Sequence, residues 1–95
     1  MGNRSFATVP RLSTTQKIAY TGVAGTSAAV GSQTRQVRVT LSSAGYIKIG
    51  SGAAVVTDTY MPANVPEYFA IQPGETISAI QDAAGGNLLI TELTQ

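Results

Sequence analysis

The sequence contains no cysteine, no histidine and no tryptophan. Without cysteine there is no disulfide framework, no thiolate metal site and no thiol nucleophile, and the redox compartment leaves no trace in the chain. Without histidine as well, zinc and copper sites and the common Ser-His and Cys-His catalytic arrangements are excluded. Charge is scarce: 12% of the 95 residues are Asp, Glu, Lys or Arg, about half the ~25% of an ordinary soluble domain. Apolar residues, at 43%, are not correspondingly abundant. Small residues (Thr, Ser, Gly and Ala) fill the difference, and such a surface is weakly solvated and suited to packing against other chains. No apolar run approaches the ~18 residues of a membrane helix. The N-terminal stretch, with Arg4 and Arg11, has no apolar segment of the secretory kind. The expectation is a chain without membrane contact, made and assembled in the cytoplasm.

The net charge is only +1, which favours neither nucleic acid nor an anionic membrane. Its distribution is less even. The basic residues Arg4, Arg11, Lys17, Arg35, Arg38 and Lys48 occupy the first half of the chain. The acidic residues Asp58, Glu67, Glu75, Asp82 and Glu92 occupy the second. Pairing of the two sets across strands within one fold is the simpler expectation; stacking of a basic side of one molecule on an acidic side of the next is the other.

No segment carries a helical stripe. Met1–Thr15 has no sustained period, and Pro10 bars a regular helix through its middle. It reads as an extended arm, residues 1–15, ahead of a single β-domain, residues 16–95. Such an arm either stays disordered in isolation or docks on a neighbouring subunit through Phe6, Val9 and Leu12, with Arg4 and Arg11 meeting acidic groups there. Gln16–Thr21 suggests a first strand. The small-residue tract Gly22–Ser32 reads as a loop with a short edge strand at Ala28–Val30; its glycines lack the lysine and spacing of a phosphate-binding loop.

Gln36–Leu41, QVRVTL, alternates cleanly, with Val37, Val39 and Leu41 to one side. After the turn Ser42–Gly45, Tyr46–Gly50 (YIKIG) returns with Ile47 and Ile49 inward, which predicts a hairpin. Its outer face would carry Arg38, Lys48 and Tyr46. One aromatic and two cations match a single-strand nucleic-acid platform only weakly, so nucleic acid is not expected. Arg38 and Lys48 join Arg4, Phe6, Val9, Arg11 and Leu12 as candidate partner contacts. Ala53–Thr57 suggests a further short strand. Val65–Gln81, VPEYFAIQPGETISAIQ, gives the clearest hairpin pattern, two strands about Pro73-Gly74 with Phe69 and Ile71 as core. Asn87–Leu93, NLLITEL, is apolar on both faces, which suggests a central position in a sheet or a covered outer face.

Strands about ten residues apart with turns between them predict an all-β fold: a small antiparallel β-sandwich, jelly-roll-like, of six to eight strands. No enzyme is expected. Glycosidase chemistry needs two carboxylates flanking a cleft, and the best pair, Glu67 and Glu75 of the predicted hairpin, includes an acid beside a turn where solvated acids are common. A lone Asp58 is not a calcium site, and no cofactor is expected.

The VRV strand at Val37–Val39, IKIG at Ile47–Gly50, MPANVPEYFAIQPGE at Met61–Glu75, AIQ at Ala79–Gln81 and GGNLLITEL at Gly85–Leu93 carry a resemblance, joined by TTQKIAYTG at Thr14–Gly22. Together they resemble small virion structural proteins of tailed bacteriophages. The resemblance covers most of the chain beyond the arm and is one of overall pattern, with no catalytic motif. It implies a particle protein, above all a capsid decoration (cement) protein that binds the outer head shell and stabilises it. The implied partners are the major capsid protein or other virion proteins and further copies of the chain. Such decoration proteins are often trimers, although no residue here encodes a three-fold axis. A neck, tail or fibre-base component is the alternative within the virion. A carbohydrate-binding module is the alternative from another class, with Tyr20, Tyr46, Tyr60 and Tyr68 as stacking groups. Two or more tyrosines aligned on one exposed face would favour sugar; their burial would favour the structural reading.

Overall fold

The computed structural model describes residues 11–94, Arg11 through its backbone alone. The described residues form eight strands: β1 (Arg11–Tyr20), β2 (Gly25–Thr26), β3 (Gln36–Leu41), β4 (Gly45–Gly50), β5 (Thr59–Met61), β6 (Glu67–Ala70), β7 (Thr76–Gln81) and β8 (Gly86–Thr94). No helix occurs among the described residues. Two four-stranded sheets result, in the orders β1-β8-β3-β6 and β2-β7-β4-β5, antiparallel throughout. The chain is folded back on itself about the link between β4 and β5. The first strand pairs with the last, the second with the seventh, the third with the sixth and the fourth with the fifth.

The alternating strands account for this sandwich-like arrangement, since each sheet offers one apolar face to the other. From the first sheet come Val37, Val39 and Leu41 of β3, Leu88 and Ile90 of β8 and Tyr20 of β1. From the second come Ile47, Met61, Ile77 and Ala79. These side chains form one buried cluster, with Ile18, Ile49 and Phe69 packed on its margin.

Both expected hairpins are absent. β3 and β4 lie in different sheets, and so do β6 and β7. The Pro73-Gly74 turn shows why. Gly74 has φ +87°, and a proline followed by a residue at positive φ is the type II pattern, whose twist splays strands that a two-residue hairpin must hold together. Its flanks bond elsewhere: Val30 N–H donates to Glu75 O (2.9 Å), Gly74 N–H to Val30 O (3.2 Å) and Ile71 N–H to Arg35 O (3.0 Å). The turn after β3 behaves likewise. Ser42 exchanges bonds with Asn87, its N–H to Asn87 O (3.0 Å) and Asn87 N–H to Ser42 Oγ (2.7 Å).

Other boundaries shift as well. β1 begins at Arg11, where it pairs with Thr94, so Arg11–Thr15 belong to the sheet and not to an arm. Residues 1–10, with Arg4, Phe6 and Val9, lie outside the described residues. The short edge strand is Gly25–Thr26 rather than Ala28–Val30, and Ala53–Thr57 is not a strand. That segment folds over the outer face of the second sheet instead. Ala54 N–H reaches Ser78 Oγ at 2.9 Å, and Asp58 closes the turn by accepting from Val55 N–H at 2.8 Å.

Tyr20 latches the end of the molecule where β1, β3 and β8 meet. Its hydroxyl donates to the Ser43 carbonyl and accepts from Ser43 N–H at 3.3 Å. Its register partner is Gly86. A Cβ there would lie 2.6 Å from Ser42 Oγ and 3.0 Å from both the Ser43 nitrogen and the Tyr20 hydroxyl, so a larger residue would have to push the latch aside.

Two predictions come from this packing. Phe69 sits on an edge strand and is only half-buried, so Phe69→Ala should cost about 2 kcal/mol, below the ~3–5 kcal/mol of a fully enclosed ring, whereas Ile90→Ala should cost about 3–4 kcal/mol; urea unfolding of the two variants gives the ranking. Burial pushes the Tyr20 phenol above its ordinary range, with the backbone of Ser43 pulling the other way. The folded state therefore holds this proton more tightly than the unfolded chain. The corresponding stability is complete below about pH 10 and is lost as pH rises through the folded-state value. Melting temperatures measured across that range should fall less steeply for Tyr20→Phe than for the parent.

Candidate functional site

At one end of the first sheet the structure opens a trough of about 860 Å³, within the about 300–1,000 Å³ usual for ligand sites. All four strands of the sheet contribute to it. One row of cross-strand neighbours, Leu12, Leu93, Gln36 and Ala70, runs across this end. Next to it runs Thr15, Thr91, Arg38 and Tyr68.

The trough owes its shape to a break in β1. Leu12 pairs with Leu93 and Thr15 with Thr91, so Ser13 and Thr14 stand against Glu92 alone. Two residues opposing one is a bulge, which bends the strand and re-aims its side chains. Both bulged residues line the trough. The segment Gly31–Arg35 closes it from the other side, turned by Thr34 N–H on Gly31 O (3.1 Å).

Glu92 lies at the floor. In β8 the inward positions run Leu88, Ile90, Glu92, so the alternation that builds the core delivers a carboxylate at its end. Glu92 is 6% exposed. Its Oε1 accepts from Thr34 Oγ1 at 2.5 Å and from Gly31 N–H at 3.0 Å. Burying a carboxylate is costly unless donors replace its water, and these two donors tie β8 to the loop before β3. Arg35, Gln33 and Gln36 supply further polar groups, while Tyr68, Phe69, Ala70 and Leu93 supply apolar wall. Tyr68 is 58% exposed.

The predicted contact residues are scattered. Arg38 points outward from the first sheet, beside Tyr68 and Thr91. Lys48 is exposed on the outer face of the second sheet, opposite Ser78. The patch expected to join Arg38, Lys48 and Tyr46 does not form, because the hairpin that would have joined them does not form. Leu12, 74% exposed, and the backbone of Arg11 stand at the trough end of β1; Arg4, Phe6 and Val9 lie outside the described residues. Glu67 and Glu75 are not brought face to face by a hairpin, and Glu75 accepts from Gln72 N–H at 2.8 Å as a turn cap. The acids in general serve nearby donors. Asp58 and Glu75 hold backbone amides, Glu92 an amide and a hydroxyl, and Asp82 the Tyr46 hydroxyl at 3.0 Å. Among the described residues none of these bonds goes to a lysine or arginine.

The tyrosines divide. Tyr20 is buried, Tyr68 borders the trough, and Tyr46 and Tyr60 meet edge to face on the outer side of the second sheet, centroids 5.7 Å apart. The Asp82 carboxylate, through its bond to Tyr46, pushes that phenol above its usual range. Sequence reasoning missed Thr34, Arg35, Tyr68 and Glu92 as a group. The one available signal was the acid at the third inward position of NLLITEL.

No protein-family model matches the chain, and neither does any curated protein or solved structure.

Glu92→Ala should lower stability by about 1–3 kcal/mol, because Gly31 N–H and the Thr34 hydroxyl lose their acceptor. Glu92→Gln keeps an oxygen in place and should stay within about 1 kcal/mol of the parent. Denaturant unfolding of the pair distinguishes a hydrogen-bonding role from a role for the charge.

Proposed function

We propose that this chain is a structural protein of a tailed-bacteriophage particle, and specifically a decoration protein that binds the outer head shell through the major capsid protein and stabilises it. The observation that carries the reading is the outer face of the first sheet. Leu12, Leu89 and Tyr68 alternate there with Thr15, Thr91 and Thr40, and among the described residues its charges are Lys17 and Arg38, with no acid. An outward sheet face of an isolated antiparallel domain is ordinarily polar. A face with exposed leucine and tyrosine between threonines, in a chain so poor in charge, is suited to burial against another subunit.

The strand pairing supports the same reading at the level of fold. Eight strands paired first-to-last and onward to the middle, split into two four-stranded sheets, fit a jelly roll, an architecture that viral capsid domains use among many others. Fold alone does not give function, so the pairing adds to the surface argument without replacing it. Residues 1–10, with Arg4, Phe6 and Val9, are assigned to the attachment of each copy to its neighbours, which fits a homo-oligomer such as a trimer. A neck, tail or fibre-base position would use the same surface.

Cryo-electron microscopy of the purified particle should place the protein outside the head, over seams between capsomers; density confined to the neck or tail would refute decoration. Removal of residues 1–10 should reduce the copies retained per particle while leaving the β circular-dichroism signal intact. Removal of residues 1–15 should also damage the fold, because it takes half of β1 from its pairing with β8.

A further inference from the structure

The trough has a composition that attachment to a protein shell does not require. From its geometry we propose that it is a binding site for a neutral oligosaccharide, a function that does not rest on the attachment reading but shares Tyr68 with the face proposed for attachment.

Three observations lead there. The first is direction. The trough crosses β1, β8, β3 and β6 at one end of their sheet. A peptide strand bound by main-chain hydrogen bonds would lie along an edge strand; a ligand lying across the strands meets amides already used in the ladders and must be read by side chains. Four strands about 4.8 Å apart give a floor of roughly 14 Å, the length of about three hexose rings.

The second is charge. Among the described residues the trough holds one buried carboxylate, Glu92, and one exposed guanidinium, Arg35. A polyanion would face Glu92, and a basic segment would face Arg35. A neutral ligand meets no unfavourable charge and can use both.

The third is the type of donor and acceptor. Arg35, Gln33, Gln36 and Glu92 are planar groups that can each make two hydrogen bonds, the arrangement that fits adjacent hydroxyls on a ring; the Ser13 hydroxyl both donates and accepts. Both bonds that Glu92 receives fall on Oε1, which leaves Oε2 to accept from the ligand. Tyr68, exposed at the wall, offers an aromatic face to the apolar C–H side of a hexose. The Tyr46–Tyr60 pair on the other sheet is a weaker candidate, because its two rings stand at 67° and cannot form one flat platform.

The test is amide-resolved NMR of the full chain with glucose, galactose, mannose and N-acetylglucosamine, and with their linear β1,4-linked trimers, at millimolar concentration. At least one trimer should shift Gln36, Tyr68, Ala70, Glu92 and Thr94 in a saturable way, and more strongly than its monosaccharide. Tyr68→Ala, an exposed position on an edge strand, should weaken that binding about tenfold with an unchanged melting temperature. Tyr60→Ala should leave it unaltered. The proposal is overturned if no saccharide moves these resonances, if the shifts map to Tyr46 and Tyr60, or if Tyr68→Ala binds as the parent does. It is also overturned if a synthetic peptide of residues 1–10 shifts the trough and the sugars do not, which would make the trough a seat for polypeptide.

Discussion

The fold depends on β8 being paired along both edges and buried on its inner face. It pairs with β1 along one edge and β3 along the other, and it buries Leu88 and Ile90 on the inner face. A strand can be satisfied this way only if the first strand of the domain comes back to cover the last. The chain must therefore fold about its middle, and the remaining pairs follow: β3 takes β6, and β4 and β7 continue the second sheet. The two turns that looked like hairpins are crossings between sheets for the same reason. If β3 turned back and paired with β4, its edge would not be available to both β8 and β6.

That constraint also explains what could be read from the sequence. The QVRVTL alternation gave β3 its inward face correctly, because a period of two follows from strand geometry alone. The two-sided apolarity of NLLITEL matches the central position of β8 between β1 and β3, although Leu89 and Thr91 on its outer face stay half-exposed. Leu93 is enclosed although it points outward, at the row where Leu12 and Gln36 flank it. Strand partners were not legible. Alternation tells which residues share a face but not which sheet the strand joins, and a short turn serves a crossing as well as a hairpin. The turn chemistry held the missing information: Pro73-Gly74 lacks the mirror-image twist that a two-residue hairpin needs. Arg38 and Lys48 fell on opposite faces of the sandwich because the short link from β3 to β4 crosses between the sheets.

The trough was illegible for a different reason. Its parts come from four strands and a loop, and every gap between them in sequence, from Thr14 to Gly31, Gln36 to Tyr68 and Ala70 to Glu92, is an excursion through the second sheet. Glu92 is the exception. An acid at an inward position of a central strand must either lie beyond the end of the core or be held by donors, and here both hold. The hydrogen bonds from Thr34 and Gly31 exist because the loop before β3 has to return over the sandwich end to enter the first sheet.

The same economy governs the few charges. Asp58 and Glu75 each close a turn, Glu92 secures a loop and Asp82 takes a tyrosine hydroxyl. Local bonds thus occupy these four acids, whereas Lys17 and Arg38 stand on an outer face with no carboxylate among its residues. The segregation of charge along the sequence becomes a segregation of roles. Among the described residues Asp58, Glu75, Asp82 and Glu92 order the chain, and Lys17, Arg35, Arg38 and Lys48 remain at the surface. A partner laid on the first sheet would meet weak positive charge set among apolar and hydroxyl groups. Association there would rest mainly on burial of Leu12, Leu89 and Tyr68, with Lys17 and Arg38 setting orientation, since exposed charges govern register and approach more than affinity.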